Sequence, residues 1–231
     1  MLHIVPTPLG NLEDMTPRAR RTLGEVAAVY CEDTRRTRQL MSHFGIGTPL
    51  QRYEEQAHRR MLEELKSGKP LALVSDGGLP CISDPGWRVV AEAHKSKIAV
   101  TALPGGSAVT TALAGSGLPA DSFVFLGFLP RSAGKQKKAL AAAAALEKTI
   151  AIYESPFRVV DLLAVAKEVL GGGAQCCVVR ELSKLHEEWV KGSLQQVHDD
   201  FAARKEILGE FVVMIHPYQE TPNDHVPDHQ G

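Results

Sequence analysis

Four carboxylates stand where short apolar, strand-like runs give out: Asp33, Glu54, Glu55 and Glu181. Acids at strand ends suit general-base work on a reluctant nucleophile such as a hydroxyl, which must lose a proton as it reacts. Each reads better as an ion-pair partner or helix cap. Asp33, in the run CEDTRRTR, is placed to cap a helix that carries Arg35, Arg36 and Arg38. Those arginines, the run PRARR at 17–21, and Arg131 with Lys135, Lys137 and Lys138 are local basic clusters. They suit phosphate contacts, though each taken alone reads better as solvated surface. The last cluster crowds a helix start, where the macrodipole disfavours cations and a phosphate would offset the cost. His186, in KLHEEW, reads as a structural hydrogen-bonding residue.

Several common chemistries lack their residues. RSAGKQ at 131–136 has neither the earlier glycine nor the following Ser/Thr of a P-loop, and no G-x-G-x-x-G follows a strand. HEEWV at 186–190 ends in Val190 where a zincin helix needs histidine, and G-x-S-x-G is absent. Three strand-end loops remain. VPTPLGNLEDMT (5–16) is stiffened by two prolines. VSDGGLPCISDPG (74–86) follows the apolar run 71–74 with more Gly and Pro than a helix, a strand or a simple turn tolerates. LPGGSAVTTALAGSG (103–117) passes through Pro-Gly-Gly into a helix opening at Ser107-Ala108, where backbone amides can receive an anionic group. In an open α/β sheet, loops at the carboxyl ends of strands build the ligand site.

The elements behind those loops alternate. Strands are expected at 2–5, 27–31, 50–53, 71–75, 98–103, 123–128, 149–153, 176–180, 188–191 and 211–215. Thr16-Pro17 opens a helix to about Glu25, and 55–66 is amphipathic, with Met61, Leu62 and Leu65 on one stripe. Lys135–Lys148 contains five consecutive alanines, Ser155-Pro156 opens a helix that stops at Gly171, and Ser193 caps a last one to about Arg204. The alternation predicts an α/β protein with largely parallel pairing, and a more mixed second sheet where strands crowd together late in the chain. A break near 117–121 divides the expected domains, 1–117 and 118–218, and 219–231 reads as a frayed tail.

The chain has 231 residues, 44% hydrophobic and 23% charged, with 26 basic and 27 acidic side chains and a net charge of -1. Global charge therefore decides nothing about nucleic acid. Four cysteines without CxxC spacing read as reduced thiols of a cytosolic protein, no signal peptide is evident, and the longest apolar run has eight residues, Ala139 to Leu146.

Taken together, PTPLGNLEDMTPRA, EDTRRTRQLMSHFGI, ALVSDGGLPCISDPG, LPGGSAVTTALAGSGLP, FLGFLPR, YESPFR and RELSKLHEEWVKG occur in order over residues 3–216. The chain thereby resembles the ribosomal RNA small subunit methyltransferase I family of tetrapyrrole methylase-like, S-adenosylmethionine (SAM)-dependent methyltransferases. The resemblance implies the two-domain class III α/β fold, SAM in a cleft between the domains, and a cytoplasmic homodimer. It also implies 2′-O-methylation of a cytidine in 16S, small-subunit, ribosomal RNA, with no metal. Carried onto this sequence, it assigns cofactor contacts to Pro8, Leu9, Asp76, Gly78, Leu79, Ser107, Ala108 and Glu154, and weaker ones to Arg180 and Met214. Base candidates are Asp33, Glu55 and Glu181, and RNA contacts fall to Arg35, Arg36, Arg38, Arg131 and Lys135. A small-molecule methylase of the wider tetrapyrrole family and a non-catalytic SAM- or RNA-binding homologue are the alternatives.

Four segments depart from the family pattern. Its loop reads close to S-D-A-G-T-P-G-I-S-D-P-G, where this chain has Gly77, Leu79 and Cys81 for the Ala, Thr and second Gly. Glu54-Glu55-Gln56-Ala57 replaces a His-(Glu/Asp)-His-Asn-like segment, PGGSA replaces Pro-Gly-Pro-Ser-Ala, and an acidic, histidine-containing tail stands where many relatives carry a basic one.

Overall fold

The computed structural model describes residues 1–84 and 86–217, without the side chains of Glu55 and Gln56. The expected tail, 219–231, lies outside the described residues. The chain divides into two compact units, Met1–Ala108 and Val109 onward.

The first unit is a five-stranded sheet of β1 (Leu2–Ile4), β2 (Ala28–Cys31), β3 (Leu50–Arg52), β4 (Leu71–Leu73) and β5 (Val100–Ala102). Every pairing is parallel, in the order β3-β2-β4-β1-β5. Four helices connect them: α1 (Pro17–Glu25), α2 (Thr34–His43), α3 (Glu55–Lys66) and α4 (Trp87–Lys95). Successive strand residues face opposite sides, so the sheet carries two cores. Leu2, Ile4, Ala28, Tyr30, Leu71 and Leu73 pack with Met61, Leu65, Val89 and Ala93 from α3 and α4. Val5, Val29, Cys31, Ala72 and Val74 pack with Ala19, Leu23 and Met41 from α1 and α2. Thr16 caps α1 as expected, its hydroxyl accepting from the Ala19 amide at 3.1 Å. Helix α4 was not among the sequence expectations.

Helix α5 (Ala108–Ser116) starts on the last residue of the first unit and otherwise belongs to the second, which continues β6 (Phe123–Phe128), α6 (Ala133–Ala144), β7 (Thr149–Glu154), α7 (Val159–Leu170), β8 (Gln175–Arg180), β9 (Glu188–Ser193), α8 (Leu194–Ala202) and β10 (Phe211–His216). Its sheet runs β6-β7-β10-β8-β9 and is mixed: β6 and β7 are parallel, and the other three pairings antiparallel. One face, through Ile150, Ile152, Cys176, Val178, Val213 and Ile215, packs against α6, α7 and α8 by Leu140, Leu162, Leu163, Val197 and Phe201. On the other face, α5 approaches β9 so closely that a Cβ on Gly115 would stand 2.5 Å from Trp189 Cη2.

Two helices differ from expectation. Helix α7 begins at Val159 rather than Ser155, because the Ser155 carbonyl accepts from both Arg158 and Val159 amides, at 3.1 Å each, in a preceding turn. Helix α6 stops at Ala144, before Glu147 turns left-handed at φ 53°. The alanine run is packed: Leu140 and Ala143 are buried with Gln136 on one stripe.

No helix among the described residues is long and apolar enough to cross a membrane. The four cysteines are free thiols; Cys31, Cys176 and Cys177 are buried and Cys81 half-buried.

Candidate functional site

All five strands of the first sheet run the same way, so their carboxyl ends share one edge, and β4, β1 and β5 are neighbours there. The loops after these strands are 74–86, 5–16 and 103–107, and they meet. Thr7 and Gly78 exchange backbone hydrogen bonds at 3.0 Å each way. The Thr7 hydroxyl donates to the Ser75 carbonyl at 3.0 Å, and the Ser75 hydroxyl to the Gly78 carbonyl at 3.0 Å. Leu9 lies over both glycines: a Cβ on Gly78 would stand 2.8 Å from Leu9 Cδ2 and 3.2 Å from the Gly106 carbonyl oxygen, and one on Gly106 would stand 3.4 Å from Leu9 Cγ. Gly78 has φ 84°, so a side chain there is excluded by conformation as well as by space. Gly78 is buried beneath Leu9, so the two glycines serve to let the three loops pack closely against one another.

Strand β2 lies on the far side of β4 and delivers its own acids to the same edge. The Asp33 amide donates to Asp76 Oδ1 at 3.3 Å, and Arg36 reaches Asp76 Oδ2 at 3.7 Å. Between these groups opens a cavity of about 410 Å³, bounded by Pro8 and Leu9, by Arg36, Leu40 and His43 of α2, and by Asp76. That volume lies in the range of small-molecule sites.

Asp33 is the cap of α2, its Oδ1 accepting from the Arg35 amide at 2.8 Å and the Arg36 amide at 3.4 Å. The Arg35 amide chiefly, with help from the Arg36 amide and the Arg35 charge, holds its carboxyl below the usual range. Glu32, which is not among the carboxylates singled out from the sequence, behaves differently. It is an exposed residue whose carboxyl is partly desolvated and hydrogen-bonded to that of Asp84. Desolvation first, then the charge and hydrogen bond of Asp84 and the charge of Asp76, push it up to about 7. Its sequence signal was faint: an acid directly after a strand, meaningful only once β2 is known to flank β4.

The departures in the loop have a packing account. Leu79 and Cys81 are partly buried against the core around Tyr53 and Met61. Cys81 has φ 71°, a conformation that favours the glycine found there in the resembled motif. Burial, with the charge of Asp84, pushes its thiol up to about 11.

Ser107 directly follows Gly106, and Ala108 begins α5. Arg35 and Arg38 are exposed on α2. The side chain of Glu55 lies outside the described residues. In the second unit Glu154 is buried, accepting from Arg158 Nη2 at 2.7 Å and from the Ser155 amide at 2.8 Å. Arg180 donates to Glu188 at 2.8 Å, and Met214 is fully buried in β10. Glu181 accepts from Lys184 at 2.8 Å and from the Glu210 amide at 2.9 Å. Partial burial works to raise its carboxyl, but the Lys184 and Glu210 bonds and the charges of Lys184 and Arg180 hold it low. Arg131 and Lys135 are exposed before and at the start of α6. Among the described residues, no three His, Cys, Asp or Glu side chains converge as metal ligands would.

Residues 1–198 match the family described as Tetrapyrrole (Corrin/Porphyrin) Methylases. A protein named ribosomal RNA small subunit methyltransferase I from Halalkalibacterium halodurans is 43% identical over 219 residues, 93% of this chain and 75% of that one. The protein of the same name from Thermotoga maritima is 41% identical over 219 residues, 93% of this chain and 97% of its own. Among solved structures, a diphthine synthase superposes with TM-score 0.74 at 15% identity, covering 95% of this chain and 91% of that one. Uroporphyrin-III C-methyl transferase from Thermus thermophilus, complexed with S-adenosyl homocysteine, superposes with TM-score 0.65 at 19% identity, covering 92% and 96%. With its doubly covered parallel sheet, its mixed second sheet and these relatives, the chain belongs to the tetrapyrrole methylase family of SAM-dependent methyltransferases, among the ribosomal RNA small subunit methyltransferase I proteins.

Proposed function

We propose that this protein moves the methyl group of SAM to the ribose 2′-hydroxyl of a cytidine in 16S ribosomal RNA, acting as a cytoplasmic homodimer. The observation that carries the reading is the meeting of Leu9, Gly78 and Gly106, with Asp76 beside them, at one edge of the first sheet.

The residues suit the cofactor. Gly78 and Gly106 let the three loops close on one another beneath Leu9, which sets Leu9 and Asp76 on the cavity, and the Asp76 carboxylate offers a counter-charge to an ammonium or sulfonium. SAM, when bound, would supply an already activated methyl on a sulfonium, with a neutral thioether as its leaving group. The chain's own task is to hold donor and acceptor in line, exclude water, and take the hydroxyl proton. We assign that last role to Glu32, which directly follows β2 and whose carboxyl is hydrogen-bonded to that of Asp84, in the same loop as the cavity residue Asp76. Asp33 is instead occupied in capping α2, Glu181 is held by Lys184, and the side chain of Glu55 is not among the described ones.

Small ribosomal subunits incubated with methyl-labelled SAM and this protein should yield labelled 2′-O-methylcytidine on nucleoside analysis. Label on a base, or none despite calorimetric cofactor binding, would refute the reading. Gly78→Ala, which drives a methyl into Leu9 and the Gly106 carbonyl, should weaken calorimetric SAM binding at least tenfold while the protein remains folded by circular dichroism.

A further inference from the structure

The second unit holds a cavity of about 690 Å³ that the cofactor reading leaves unused. Its wall is built by Arg131, Gln136, Ser155, Phe157, Arg158 and Asp161. Phe157 is 88% exposed, although an aromatic ring of that size ordinarily buries itself. The charges around it are ordered. Arg158 is neutralised by the buried Glu154 at 2.7 Å, and Asp161 places a carboxylate on the wall. Arg131 is exposed and makes no ion pair among the described residues. Lys135 and Lys138 follow on α6, exposed and likewise without such a pair, whereas Lys137 is paired with Glu168. Arg131 and Asp161 both stand on the wall with the open aromatic face of Phe157, and Lys135 and Lys138 lie off it on α6.

That arrangement fits a nucleotide of single-stranded RNA better than an apolar partner. A phosphate is repelled by Asp161 and drawn to Arg131, with the exposed lysines of α6 adding to the attraction. A base stacks on any exposed aromatic face, and an aspartate accepts from an exocyclic amino group such as cytosine N4. Building on the ribosomal RNA reading above, we propose that this cavity receives a base of single-stranded RNA, stacked on Phe157, with its phosphate held by Arg131.

Fluorescence anisotropy of the full-length protein with a short, fluorescein-labelled, cytidine-containing single-stranded oligoribonucleotide tests this. Phe157→Ala should weaken binding by about tenfold or more, and Phe157→Tyr, which keeps the stacking face, should stay within about twofold of wild type. Arg131→Ala should reduce the slope of log affinity against log salt by about 0.7, one single-strand phosphate contact. Circular dichroism and SAM calorimetry should be unchanged in all three variants. Wild-type affinity in Phe157→Ala, or no binding of the oligoribonucleotide by the wild type, overturns the proposal. A Phe157→Ala protein that binds RNA normally but sediments as a smaller species overturns it too, by making this face a contact between copies. Labelled transfer to ribosomal subunits, alongside unaltered RNA affinity in these variants, would fault the stacking site and leave the enzymatic reading standing.

Discussion

A base that must act near neutrality needs a proton affinity close to the working pH, and Glu32, at about 7, has one. Desolvation and the carboxyls of Asp84 and Asp76 supply it, so activity and stability should both register its titration. Activity requires the deprotonated form, and kcat/KM should rise with pH to a plateau just above 7. Glu32→Gln should lower kcat by about 10²- to 10⁴-fold and remove that limb of the profile. For stability the sign is opposite. A folded-state pKa above the ordinary 4.5 stabilises the fold at low pH, and that contribution is lost as pH rises towards 7. Melting curves of wild type and Glu32→Gln should therefore nearly coincide around pH 4.5, with the Gln protein melting higher at pH 8. A flat kcat/KM profile with an unchanged kcat in the variant would rule out the role. Glu32 was illegible in the sequence because its environment comes from residues more than forty positions away. Asp33 was half-legible: cap spacing is local, and a cap is what it is.

At the scale of elements, periodicity and punctuation served well where the signal was local. All ten expected strands occur within a residue or two of their expected positions, and Ser193 caps α8 as expected, completing a capping box with Gln196 that the structure adds. The misplaced boundaries of α6 and α7 turn on a left-handed residue and a bifurcated carbonyl, neither of which has a sequence signature. Helix α4 follows the Pro/Gly-dense loop too closely to announce itself. Close packing across elements was equally hidden. Gly115 has no turn to make, and its role is to let α5 approach Trp189. Gly115→Ala offers a better helix former, worth about 1 kcal/mol on propensity alone, but drives a methyl into the indole. Overpacking should win, and chemical denaturation should show a net loss of about 1–3 kcal/mol. A stabilised variant would mean that Trp189 yields freely.

Over the whole molecule, class and family were legible because motifs spread along the chain constrain one another. Strand order was not, and it is strand order that turns separate loops into a site. The buried thiols carry a consequence of the division into two units. Cys31 belongs to the first, Cys176 and Cys177 to the second, and burial raises the proton affinity of all three. Alkylation requires a thiolate in contact with solvent, so each sulfur becomes reactive only when its own surroundings open. Iodoacetamide added to the native protein, with modified peptides followed by mass spectrometry, should mark Cys81 first and the other three only on the timescale of opening. Equal rates at Cys31 and Cys176 would mean that the halves come apart together; unequal rates would give each half its own clock, and rapid capture of Cys176 in native buffer would contradict its burial.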